Sequence, residues 1–245
     1  RALELGSYDG LTVGLLGYCH SLSGRPHAAL QSYRMAAMTM PGELQWKLGE
    51  AVSLAALGRL SAAASIYEEL LAASPERIEW WVYLADVQFP LGNPTAAITS
   101  LEVARRLGGL DASQMFLLGQ LYLNASLSGR AMHYFRQGLQ GDSSPLLNEV
   151  LDAVESLIQR RRLDDAKELV DMIRRVAGYR EELKEGKKTA ARLERAISII
   201  ELWAGDAEAG ANRLVELVGD NPFDGFGLLV LAEYWQAKGD AERAI

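Results

Sequence analysis

Residues able to do chemistry are few in this chain, and each stands in a pattern that disfavours a reaction. Cys19-His20 is the most suggestive pair, a thiol beside an imidazole. On a helix of 3.6 residues per turn, adjacent side chains point about 100° apart, so this dipeptide is not a nucleophile–base arrangement. It is read as a buried cysteine beside a surface or groove histidine. His27 and His133 have no His, Cys, Asp or Glu at the spacing of a metal site and are read as ordinary surface or interface residues. Cys19 is the only cysteine, which excludes an internal disulfide and multi-cysteine zinc or iron–sulfur centres. No glycine-rich loop follows a strand to cradle phosphate. No catalytic residue, metal or cofactor is expected here, and the chain reads as a non-enzyme; a pocket gathering Cys19 or His20 with carboxylates would revive the alternative.

Charge narrows the partners. Lys+Arg number 25 against 32 Asp+Glu, a net charge of −7. A general nucleic-acid or anionic-membrane surface is therefore disfavoured. Apolar stretches are broken by Gly, Ser or charge before bilayer-spanning length, so no membrane span is expected, and Arg1 to Asp9 lack the apolar core of a secretory signal. The run from Tyr179 to Lys188, YREELKEGKK, is too charged for a core. A solvated extension of one or two helices is favoured over a docking protrusion aided by Arg160, Arg161 and Arg162. Trp46, Trp80, Trp81, Trp203 and Trp235 fall in helical stretches and are read mostly as packing residues, although Trp80 and Trp81 cannot share one inward position.

The elements that position these residues follow from a period. Ala29, Ala63, Ala97 and Ala131 are each 34 residues apart, and Ala166, Gly210 and Ala244 continue the series after steps of 35, 44 and 34. Gly24, Gly58, Gly92, Gly205 and Gly239 stand five residues before their small residue, with Ser126 and Arg161 in the two remaining places. Four residues after the small position come Tyr33, Tyr67, Leu101, Phe135, Val170 and Leu214; Pro41, Pro75 and Pro222 close units. Agreement of several columns at one offset marks true repetition.

Two antiparallel helices per unit explain the spacing, with the glycine as the turn. In the third unit, Glu79 to Phe89 reads as a helix carrying Trp81, Leu84, Ala85 and Gln88 on one stripe. After Gly92, Asn93 stands at an N-cap and Pro94 at a first helical position, with Ala97, Leu101 and Ala104 facing inward. Helix axes pack about 8–10 Å apart, so a side chain larger than Ala at the crossing forces them apart, and Ala97→Leu should overpack the hairpin.

These residues resemble the tetratricopeptide repeat family, whose pattern is Trp, Leu-Gly, Tyr, Gly, Ala, aromatic, Ala and Pro over 34 residues. Unit one offers Leu16-Gly17, Gly24, Ala29, Tyr33, Ala36 and Pro41; unit three Trp81, Leu84-Ala85, Gly92, Ala97, Leu101 and Ala104; unit four Leu118-Gly119, Tyr122, Ala131 and Phe135. In unit two, Trp46 and Leu48-Gly49 sit one to two residues off register, which leaves its inward face open, and unit five keeps only Ala166 and apolar spacing. The resemblance implies an all-α fold, a right-handed α-solenoid of antiparallel hairpins. A single solenoid over 1–245 is expected, with units near 10–43, 44–77, 78–111, 112–146, 147–180, 191–224 and 225–245 and the insertion near 179–188. Ala2 matches the late alanine of a preceding repeat, and Ala244-Ile245 falls where a second helix begins, so an array continuing past both ends is expected.

In that family's geometry the first helix of each unit lines a groove. One groove column reads Tyr18, Val52, Asp86, Gln120, Glu155, Ile199 and Glu233; another reads Ser21, Ala55, Phe89, Leu123, Ile158, Leu202 and Gln236. Tyr18, Asp86, Phe89, Gln120, Leu123 and Glu155 are the candidate partner-binding residues, suited to a peptide with a basic or amide-rich side. A solvated helix face reads equally well. Chaperone-binding members grip a C-terminal carboxylate with Lys, Asn and Arg that are absent from these columns, so the Hsp70/Hsp90 tail is not an expected partner. The expected function is a scaffold or adaptor binding a peptide or protein segment, with a docking or regulatory domain of a larger enzyme as the alternative.

Overall fold

The computed structural model describes residues 9–140, 146–240 and 243. Among them are fourteen helices and no strand. Helices pair in chain order: α1 (Gly10–Leu22) with α2 (Pro26–Thr39), α3 (Leu44–Ala56) with α4 (Leu60–Ala73), α5 (Ile78–Gln88) with α6 (Pro94–Leu107), and α7 (Ala112–Asn124) with α8 (Ser128–Gln140). Then α9 (Leu147–Gln159) pairs with α10 (Leu163–Arg175) and α12 (Lys187–Ala204) with α13 (Ala207–Asp220). A short α11 (Ala177–Glu185) lies between those pairs, and α14 (Gly225–Lys238) follows them. Ala2, Ala244 and Ile245 of the repeat columns lie outside the described residues.

The chain divides into two compact units at Leu110 and Asp111. In the first, each second helix packs on its own first helix and on the next one, so three hairpins form a stack. In the second, α7, α9 and α12 touch in that order, α8 touches α10, and α11 packs on α10 and α12. This is the α-solenoid architecture within each unit.

Turn chemistry sets the hairpins. Gly24, Gly58 and Gly92 have φ of 66°, 72° and 79°, the left-handed region that glycine enters without steric cost. The next residue then donates its N–H five residues back: Arg25 to His20, Arg59 to Leu54 and Asn93 to Gln88, at 2.9–3.0 Å. Ser126 and Arg161 make the same turn at φ 61° and 58° without being glycine, at a cost on the order of 1–3 kcal/mol. Gly205 departs from its column. Its φ is −141°, not positive, and the following Asp206 starts α13 by accepting from the Glu208 and Ala209 N–H groups. Asn93 also differs from expectation: at ψ 61° its side chain makes no cap bond, whereas Asp9 (ψ 150°) and Asp111 (ψ 173°) lie in the extended region and cap their helices. Pro94 does occupy the start of α6.

Crossing positions Ala29, Ala63, Ala97, Ala131 and Ala166 are fully buried. At Gly210 a Cβ would lie 2.5 Å from the Leu202 backbone nitrogen, so α12 and α13 approach too closely even for alanine. The larger column, Tyr33 to Leu214, is buried throughout. Glycines on first helices make room for it. A Cβ on Gly17 would come within 2.9 Å of the Tyr33 ring and one on Gly49 within 2.5 Å, while one on Gly119 would reach 2.4 Å from Phe135. Tyr33 is thus wedged between α1 and α3. Trp46 stacks beside it at 6.4 Å and covers Gly14, which fixes the inward face of α3.

Trp80, not Trp81, is the buried indole of α5. It shares a stripe with Leu84 and Val87, while Trp81 stays half-buried because its indole N–H reaches the Pro75 carbonyl at 2.8 Å. Leu84, Ala85 and Gln88 do face inward; Gln88 accepts from the Ser100 hydroxyl at 2.8 Å. The fifth hairpin, poorest in repeat residues, buries Leu147, Val150, Leu151, Val154 and Leu157 from α9 alone. Within the charged insertion, Tyr179 is buried, and Glu182, Lys187 and Lys188 are exposed.

Two glycine substitutions separate packing from helix propensity. Alanine is favoured over glycine in a helix by about 0.5–1 kcal/mol. Gly129 has open space around it, so Gly129→Ala should stabilise the chain by about that amount. Gly49→Ala should instead destabilise it by roughly 1–3 kcal/mol, because Tyr33 must move. Urea unfolding of both variants checks the opposite signs.

Candidate functional site

The 34-residue step places Tyr18, Val52 and Asp86 at equivalent points on α1, α3 and α5, all in the first unit. All three are exposed, as are Ser21 and Phe89 one turn further along. Leu15 and Tyr83 occupy the turn before, on either side of Gly49. A hollow of about 410 Å³ opens beside Gly49. Leu15, Tyr18 and Val52 line it together with the buried rings of Tyr33 and Trp46. The Trp46 indole N–H is buried and has no acceptor among the described residues, an arrangement that costs about 1–3 kcal/mol.

Asp86 makes no hydrogen bond or ion pair among the described residues. Crowding by neighbouring atoms nevertheless raises its carboxyl above the ordinary aspartate value. The buried Tyr67 phenol is pushed up by its own desolvation first, then by Tyr83, whose ring lies 5.9 Å away, and by Asp86. Glu79, also on α5, is exposed and likewise unpaired among the described residues. Other charges on these first helices are spent: Glu50 binds Arg34 at 2.7 Å and Lys47 reaches Glu69 at 3.3 Å, both partners lying on second helices. The remaining field on this face is negative, beside exposed aromatic and aliphatic side chains.

In the second unit the corresponding columns are mostly occupied. Gln120 is half-buried and Leu123 is only 1% exposed, as is Ile158. Ile199 and Leu202 are buried too: α7, α9 and α12 pack on one another, with Leu123, Ile158 and Leu202 in the register that holds Ser21, Ala55 and Phe89 in the first unit. Glu155 is neutralised by two arginines on α12, Arg192 at 3.0 Å and Arg195 at 2.7 Å. Arg192 also binds Asp152 at 2.6 Å, and Arg195 binds Asp224 at 2.7 Å. Asp224 in turn caps α14 through the Gly227 N–H. Hydrogen bonding to Glu155 raises the Arg192 guanidinium further above its usual value. Sequence columns missed Arg192 and Arg195; the available signal was a matched i,i+3 pair of acids (Asp152, Glu155) and bases on consecutive first helices.

Arg161 accounts for its strained turn. Its guanidinium lies 3.4 Å from the Trp203 ring centre and pairs with Glu233 at 2.7 Å. Arg160 donates to Asn124 and Arg162 to Asp165, so these three arginines are engaged within the second unit. Cys19 is exposed, contrary to the expected burial, because Val13 and Gly17 define the inward stripe of α1 and Cys19 lies off it. His27 and His133 are exposed. A second hollow, about 720 Å³, lies on α13 and α14 against Val215, Leu228, Leu229 and Trp235. Gly239 has φ 77° and Asp240 donates to Trp235, the same turn as at Gly24, Gly58 and Gly92. No described helix is long and apolar enough to cross a membrane.

A tetratricopeptide repeat model matches residues 23–78 and 48–112. No curated protein matches the chain. Solved structures similar in fold include a tetratricopeptide repeat protein from Parabacteroides merdae, at 14% identity over 96% of this chain and 89% of that one, TM-score 0.67. YrrB, described as a tetratricopeptide protein with an unusual peptide-binding site, shares 14% identity over 84% of this chain and 97% of its own, TM-score 0.64. Pseudomonas aeruginosa pilF shares 16% over 94% and 97%, TM-score 0.64.

Two carboxylates should behave oppositely. Because the folded-state pKa of Asp86 is raised, its charge costs stability at pH above that folded value, and the cost fades as pH falls through it toward the unfolded pKa. Asp86→Asn should therefore raise the melting temperature at pH 7, with the gain shrinking toward pH 4, a trend that thermal scans across pH report. Glu155→Gln removes the charge between two half-buried arginines and should lower stability by roughly 1–3 kcal/mol in urea titrations.

Proposed function

The chain is a tetratricopeptide repeat protein, and from that premise we propose that it is an interaction scaffold whose first unit docks a peptide or protein segment on the face made by α1, α3 and α5. One observation carries this reading: Leu15, Tyr18, Val52, Tyr83 and Phe89 are all exposed on those three helices, the first three lining a hollow and the last two on the helix that carries the unpaired Asp86. Large apolar side chains grouped at a surface favour a partner that removes them from water. The peptide-binding description of the similar YrrB structure supports a peptide as ligand.

Within the second unit, Glu155 acts as a structural link between α9 and α12, and Leu123 contributes to packing. Docking there is not part of this reading. Negative charge at Asp86 and Glu79 would repel the terminal carboxylate of a chaperone tail, which leaves that class of partner disfavoured.

Site-specific photocrosslinking in the native cells tests the assignment. A photoreactive phenylalanine analogue at Tyr18 or Phe89 should yield discrete partner adducts, and one at Met38, 84% exposed on α2, should yield none. Adducts formed equally from Met38 would overturn the choice of face.

A further inference from the structure

Resting on that docking reading, we propose that the first-unit face recognises an extended segment carrying a bulky apolar side chain and a lysine or arginine about four residues apart. The apolar group enters the hollow lined by Leu15, Tyr18 and Val52, and the cation pairs with Asp86.

Three observations lead there. The hollow lies beside Gly49, at the repeat position where Leu15 and Tyr83 stand on the neighbouring helices. Its lining is largely apolar, with two buried aromatic rings, so it suits a large apolar side chain. Charge complementarity supplies the second half. Asp86 and Glu79 carry no counter-ion among the described residues, α5 contains no lysine or arginine, and Lys47 on α3 is bound to Glu69. An incoming cation therefore meets an acidic site flanked by Tyr83 and Phe89, whose ring faces attract cations as well.

Geometry sets the spacing. Neighbouring packed helices are on the order of 10 Å apart, and an extended chain advances about 3.3 Å per residue. From midway between α1 and α3 to α5 is about one and a half such spacings, so a side chain in the hollow and another at Asp86 are separated by about four residues of an extended ligand. The raised carboxyl of Asp86 agrees with this, since a crowded, unpaired acid gains more from a cation than one already solvated.

Selection of a phage-displayed random twelve-residue peptide library on the full 245-residue chain tests the proposal. Enriched peptides should share an aromatic or large aliphatic residue with Lys or Arg at that spacing. Their affinity, measured by fluorescence anisotropy on labelled synthetic copies, should fall about tenfold or more with Asp86→Asn. It should fall similarly with Val52→Glu, and circular dichroism should show both variants folded. Peptides that bind and respond to Val52→Glu but lack a cation and ignore Asp86→Asn would overturn the ligand chemistry while leaving the docking face intact. Peptides that bind but ignore Val52→Glu, Tyr18→Ala and Asp86→Asn alike would overturn both.

Discussion

Close approach of two helices within each hairpin is the constraint on which everything else rests. Ala29, Ala63, Ala97, Ala131 and Ala166 have no exposed surface, and at Gly210 even a methyl would meet backbone. With the axes held this close, a large residue four positions later is thrust past its own first helix into the neighbouring hairpin. Tyr33 shows the result, with its ring between Gly17 and Gly49. At this hairpin one small residue, Ala29, accompanies a large one, Tyr33, which needs glycine on two first helices.

That packing has a surface consequence. In the first unit, Gly49 admits the Tyr33 ring, and that ring forms part of the wall of the hollow between α1 and α3. In the second unit Leu123, Ile158 and Leu202 are buried, and the Glu155–Arg195–Asp224 chain of charges ties α9, α12 and α14 together. One repeat therefore yields two differently finished faces, an open apolar and acidic one and a closed, internally paired one.

Much of this was legible in the sequence, and the exceptions have physical causes. Crossing residues and turns are local and periodic, so Ala97 or Gly92 announces its role by position alone. Arg161 in a glycine place shows that the turn tolerates a strained residue when other contacts hold it, here Trp203 and Glu233. Long-range pairing was the hidden part. Glu155 looked like a free groove acid because its partners Arg192 and Arg195 lie beyond the insertion, where column alignment no longer helps. The identity of the buried indole on α5 depended on where Trp81 could place its N–H, which periodicity does not encode. Tyr18, Asp86 and Phe89 share an exposed face of one unit, while Leu123 lies inside the other.

Hydrogen–deuterium exchange of the full chain, alone and saturated with a peptide selected on it, addresses the central claim most directly. Protection is predicted to be concentrated in α1, α3 and α5, where an occupied face would damp opening of the first helices. Little change is expected in α2, α4, α6 and the second unit. Protection confined to the second helices or to α7–α14, with α1, α3 and α5 unchanged, would contradict the account.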